Sequence, residues 1–133
     1  MSKQSFKIIF SGLIIIIMFG LLKNMFSENN NEELNNIISN AYLVDVRTPA
    51  EFAEGNVPGS VNIPLDQVQN QLTKFKNHDN IVVFCRSGNR SGQAKAILEQ
   101  NGFTNVVNGG TWQQINEIKI TEIDLPLTRE KLA

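Results

Sequence analysis

Cysteine, histidine and net charge are what this chain has least of. A single cysteine, Cys85, rules out any intrachain disulfide, so the fold must hold by burial alone and the redox compartment stays open. One cysteine and one histidine, His78 in a polar loop, do not make a metal-ligand set, so no metal or cofactor is expected. A formal net charge of -1 gives no reason to expect nucleic acid or a polyanionic partner. No internal repeat is apparent. What is present is 133 residues, 41% of them hydrophobic, enough for one domain around a single core.

A full membrane span of about 20 apolar residues is also missing. The longest run, residues 8–22, holds about fifteen and is interrupted only by Ser11, Gly12 and Gly20, with Lys3 and Lys7 before it and Lys23 after. Its length lies between a signal-peptide core and a span. No small-residue cleavage pattern follows it, which favours an uncleaved anchor over a removed signal peptide. Residues 1–27 therefore read as a leader with a short tether, and 28–133 as the folded domain. Lysines on the amino-terminal side keep that end in the cytoplasm by the positive-inside rule, which faces the domain to the extracytoplasmic side. Cleavage would instead leave it periplasmic or secreted.

The rest is organised around Cys85. Ile81 to Phe84 is an apolar, β-branched run that reads as a buried parallel strand. Helical spacing begins at Ser91, with Ala94, Ile97 and Leu98 apolar and Gly102 placed to stop the helix. Cys85 thus sits where a strand ends and a helix begins, the position at which open α/β sheets bind ligands. Gly88 permits a tight curl of inward N–H groups, and Arg86 and Arg90 add cations. The helix terminus and both arginines favour the thiolate, the nucleophilic form. A lone cysteine after an apolar strand is otherwise an inert core residue, but such residues do not sit in electropositive loops.

Around it, Glu32 to Ser39 has the spacing of a small amphipathic helix, and Tyr42 to Val46 is a strand. Thr48-Pro49-Ala50-Glu51 is a helix start with N-cap, N1 proline and N3 glutamate, and Gly55 ends that helix. Val61 to Pro64 reads as a short strand, Asp66 as the cap of a helix carrying Val68, Leu72 and Phe75, and Val106-Val107 as a last strand before a tight turn at Asn108-Gly109-Gly110. Alternating strands and helices predict parallel pairing. From Glu117 onward only a covering segment with Ile118, Ile120 and Ile123 can be read.

The loop Cys85-Arg86-Ser87-Gly88-Asn89-Arg90-Ser91 resembles the active-site loop of single-domain rhodaneses, in the form of the thiosulfate-using members. The resemblance continues in order over roughly Tyr42 to Ile115: Asp45-Val46-Arg47 with Glu51-Phe52, Gly55 to Ser60 with Asn56 where histidine is usual, and Gly109-Gly110 with Trp112. It implies an α/β fold, a small parallel sheet with helices on both faces, preceded here by the apolar amino-terminal helix. It implies Cys85 as the sulfur-carrying residue, with Arg86, Ser87, Gly88, Asn89 and Arg90 binding the donor. Asp45 and Arg47 read as a buried pair under the site, with Ser91 as scaffold. Glu51 is explained by its cap position, and Asn56 as a change of local bonding.

The implied activity is thiosulfate:cyanide-type sulfur transfer. Thiolate Cys85 takes sulfur from a small anionic donor as a persulfide and passes it to cyanide or a thiol. The reading needs a sulfur open to solvent with the neighbouring amides turned toward it. A cysteine phosphatase or arsenate reductase shares the thiolate-in-a-nest logic, but typically has one more residue between cysteine and arginine. A persulfide carrier or binding module serving a membrane-bound partner is the other alternative.

Overall fold

The structure, a computed structural model, describes residues 14–18 and 32–131. Residues 14–18 are helical with exposed side chains; the remainder of the apolar run at 8–22 lies outside the described residues. Among the described residues no helix is long and apolar enough to cross a membrane.

Four strands, β1 (Tyr42–Asp45), β2 (Val61–Asn62), β3 (Ile81–Cys85) and β4 (Val106–Thr111), form one parallel sheet in the order β2-β1-β3-β4. Helix α1 covers residues 32–38, α2 Pro49–Glu54, α3 Asn89–Gln100 and α4 Trp112–Lys131, with a 3-10 segment at Leu65–Phe75. β3 is central and buried at every residue, as its unbroken apolar run requires of a strand covered on both faces. Period-two alternation sends Ile81, Val83 and Cys85 to one face, where they pack with Val44, Val46, Val68, Phe75, Ala94 and Leu98 under α3 and the 3-10 segment. Val82 on the other face meets Gly109 of β4 and Ile115 of α4.

Several elements differ from the sequence reading. The segment after Pro64 is 3-10 rather than α-helical and kinks at Gln71, and its start is Pro64 without a side-chain cap, so Asp66 lies inside it. Val68 and Phe75 are nonetheless buried, because spacing sets the covered face in either helix type. Strand β2 stops at Asn62. Asn108-Gly109-Gly110 is not a turn but the middle of β4, which runs on to Thr111. β4 carries an extra residue there: Val83 pairs with Asn108 but Cys85 with Thr111, so the strand bulges beside the cysteine. A Cβ on Gly109 would lie 2.8 Å from Val82 Cγ1 and 2.9 Å from Ile115 Cδ1, so close packing rather than a turn explains that glycine. The chain after Glu117 is the continuation of α4, with Ile120 and Ile123 exposed rather than covering the core. The His78 ring stacks on Tyr42 with centroids 3.9 Å apart, and Nε2 lies 3.2 Å from the Lys74 carbonyl.

Candidate active site

Helix α3 begins two residues before the sequence spacing suggested, at Asn89, with Gly88 as a left-handed N-cap at φ +90°. The loop after β3 is therefore very short. Residues at the start of a helix have N–H groups with no carbonyl inside the helix to bond. Those of the cap region turn onto the sulfur: the Gly88 N–H donates to Cys85 Sγ at 3.0 Å, and the N–H groups of Ser87 and Ser91 also face it. The Ser91 oxygen lies 3.5 Å from Sγ. The Asn89 N–H points elsewhere, to Ser87 Oγ at 3.5 Å, and the Asn89 side chain accepts from Gln93 at 2.9 Å along the outside of α3.

Burial pushes the Cys85 thiol up, and hydrogen bonds from Ser91, Ser87 and Gly88 outweigh it, leaving the pKa lowered to about 7. The expectation that all neighbours favour the thiolate is corrected in this respect, since burial is the largest influence and opposes ionisation. The main chain and Ser91 lower the pKa, rather than the arginines. Half of the structural condition is met, because the amides face inward. The other half is not: Cys85 is 0% exposed, packed into the core cluster by the inward phase of β3.

The two loop arginines separate. Arg86 is exposed. Arg90 meets Glu51 of α2 in a two-pronged pair, Nη1 to Oε2 at 2.7 Å and Nη2 to Oε1 at 2.9 Å. Glu51 does close the capping box with Thr48, so its cap role is present, yet it also holds Arg90. Its carboxyl is held well below the usual carboxylate range, first by Arg90 and then by Thr48, and the Arg90 pKa is raised by the same pair. No sequence spacing signals a contact across 39 positions.

Beneath the loop, Arg47 Nη2 reaches Asp45 Oδ2 at 2.7 Å and the Gly55 carbonyl at 2.7 Å, while Nε donates to both Asp45 oxygens. The pair is buried, and the guanidinium lies 4.5 Å from the Trp112 ring centre. Asn62 donates to the carbonyls of Asp45 and Arg47, fixing the turn between them. Asn56 donates to the Phe52 carbonyl at 3.0 Å. Sequence reasoning missed Asn108, whose side chain ties Ser91, Gly88 and Gly110 together. A polar residue expected in a turn gave no sign of that task.

The family model of the rhodanese-like domain matches residues 28–113. The chain belongs to the rhodanese family. It is 36% identical over 87 residues to a sulfurtransferase of Allochromatium vinosum, covering 63% of this chain and 81% of that protein. It is also 36% identical over 81 residues to the thiosulfate sulfurtransferase PspE of Escherichia coli, covering 59% and 78%. A rhodanese from E. coli solved with anions superposes with a TM-score of 0.51 at 36% identity, over 56% of this chain and 89% of that one. The rhodanese match and these sulfurtransferase relatives support sulfur transfer as the general activity.

Proposed function

We infer that the protein moves sulfane sulfur from thiosulfate, or a similar small anion, to cyanide or a thiol through a Cys85 persulfide. The observation that carries this reading is the Gly88 N–H that donates to Cys85 Sγ at 3.0 Å, at the start of α3. The thiolate attacks the outer sulfur of the donor; a new S–S bond forms, the donor's own S–S bond breaks, and sulfite leaves with that electron pair. The acceptor then attacks the outer sulfur, the bond to Cys85 breaks, and the thiolate returns. The inward N–H groups hold negative charge through both steps. Arg86 supplies the outward cation for the donor, and Arg90 joins it only when Glu51 lets go. Cys85 is covered in the structure, so attack on a donor requires that Sγ become exposed.

A steady-state assay with thiosulfate and cyanide tests this. Ping-pong turnover is expected, and Arg86→Ala should raise the KM for thiosulfate by about ten-fold or more while changing kcat less, as the loss of a charged contact does. Absence of thiosulfate-dependent turnover would contradict the donor assignment. The second reading, a carrier that holds persulfide for a membrane-bound partner, is favoured by the covered sulfur and the occupied Arg90. Persulfide on the purified protein with negligible turnover selects it.

The same proposal places residues 28–133 as the working domain outside the cytoplasmic membrane, held by residues 8–22. Its support is the lysine-flanked apolar run.

A further inference from the structure

Asn108 lies on β4 beside the first turn of α3, and its side-chain amide has defined partners on both ends. Nδ2 donates to the Gly88 carbonyl at 3.0 Å; Oδ1 accepts from the Gly110 N–H at 3.0 Å and from the Ser91 hydroxyl at 2.7 Å. The two backbone partners fix which end is oxygen, because a carbonyl must meet the NH2 group and an N–H must meet the oxygen. The Ser91 hydroxyl has only one hydrogen to give. While Asn108 holds it, the serine oxygen turns a lone pair toward Cys85 Sγ at 3.5 Å, where it can accept from a thiol S–H. The neutral thiol is thus the head of an unbroken chain running from sulfur to Ser91 to Asn108. A thiolate has no hydrogen to offer, and beyond the Gly88 N–H it gains a bond from Ser91 Oγ only if the hydroxyl turns toward it. Ser91 is fully buried, so bulk water cannot supply a substitute for either bond.

We propose that Asn108 is a positioning residue: by competing with the Cys85 sulfur for the single Ser91 hydroxyl hydrogen, it sets how readily that sulfur ionises for transfer. The inference rests on Cys85 as the reacting sulfur. The charged groups around that sulfur are Arg86 in the loop, Arg90 of α3 with Glu51 of α2 upon it, and Asp45 with Arg47 at the end of β1, which runs beside β3. β4 faces it with the uncharged Thr111. None of the charged groups bonds to Asn108 through the contacts above, so their influence is shared by the variants that test it.

The test is the pH profile of iodoacetamide alkylation on the full chain, whose one cysteine makes the signal unambiguous. Asn108→Ala should lower the alkylation midpoint by about half to one pH unit, the equivalent of one hydrogen bond. Asn108→Leu, closer in size, should do the same and serves if the alanine variant fails to fold. Asn108→Asp keeps the competing oxygen and should not lower the midpoint. Ser91→Ala should erase the effect of Asn108→Ala when the two are combined, because no hydroxyl is left to compete for. An unchanged or raised midpoint in both Asn108→Ala and Asn108→Leu, or an equal drop with Ser91→Ala in place, overturns the proposal. Sulfur transfer is measured separately: a shifted alkylation midpoint without any transfer in the parent protein would overturn the functional reading and leave this one standing.

Discussion

At the scale of single residues, Glu51 shows how one carboxylate can serve two elements. Its oxygens close the cap of α2 and grip Arg90 in α3, and the Arg90 and Glu51 side chains keep 31% and 26% of their exposure. A partly solvated pair of this kind contributes about 0.5–1 kcal/mol. The folded-state pKa of Glu51 is depressed, so its contribution is complete above the ordinary glutamate pKa and is lost as pH falls below it. Glu51→Gln should therefore lower the urea midpoint at neutral pH, and the gap to the parent should shrink as pH is lowered from about 4.5. A gap that stays constant down to about pH 3 would show that the carboxylate charge is not what ties the helices. The importance of Cys85, Gly88 and the paired Asp45 and Arg47 was legible because residue type alone limits what each can do in its place. Glu51 was legible only as a cap, since its second partner is remote in sequence, and Asn108 was hidden because hydrogen-bond competition leaves no spacing pattern.

At the scale of elements, strong local signals read true and weak ones did not. β1, β3 and the capping box of α2 follow from β-branched runs and from a threonine, proline and glutamate at fixed offsets. The start of α3 was read late because Asn89 and Arg90 are polar and give no periodic signal, while the left-handed Gly88 is the true boundary. That difference matters chemically: moving the helix start to Asn89 brings the unpaired N–H of Ser91 into the first turn, where it can face the sulfur. Paired glycines usually mark a turn, which hides the strand through Gly109 and Gly110 in the sequence. Here their small size lets β4 press against Val82 and Ile115, and a bulge carries the strand past the loop.

At the scale of the whole molecule, a parallel sheet whose strand β3 is buried on both faces brings the carboxyl end of that strand against the start of one helix, and Cys85, the sulfur proposed to react, sits at that junction. The α/β class was legible from alternation alone; the closing helix α4 was not, because its Ile120 and Ile123 remain exposed and carry no core-facing stripe. For the proposed anchor, amino-terminal sequencing of membrane and soluble fractions should find the intact leader in the membrane. A soluble protein starting beyond residue 22 would replace the anchor with a cleaved signal.

The central claim is that Cys85 carries sulfur, and intact-protein mass spectrometry after incubation with thiosulfate tests it most directly. The parent protein should gain the mass of one sulfur atom and lose it on addition of cyanide, while Cys85→Ser gains nothing. No gain in the parent, or the same gain in Cys85→Ser, would contradict the claim.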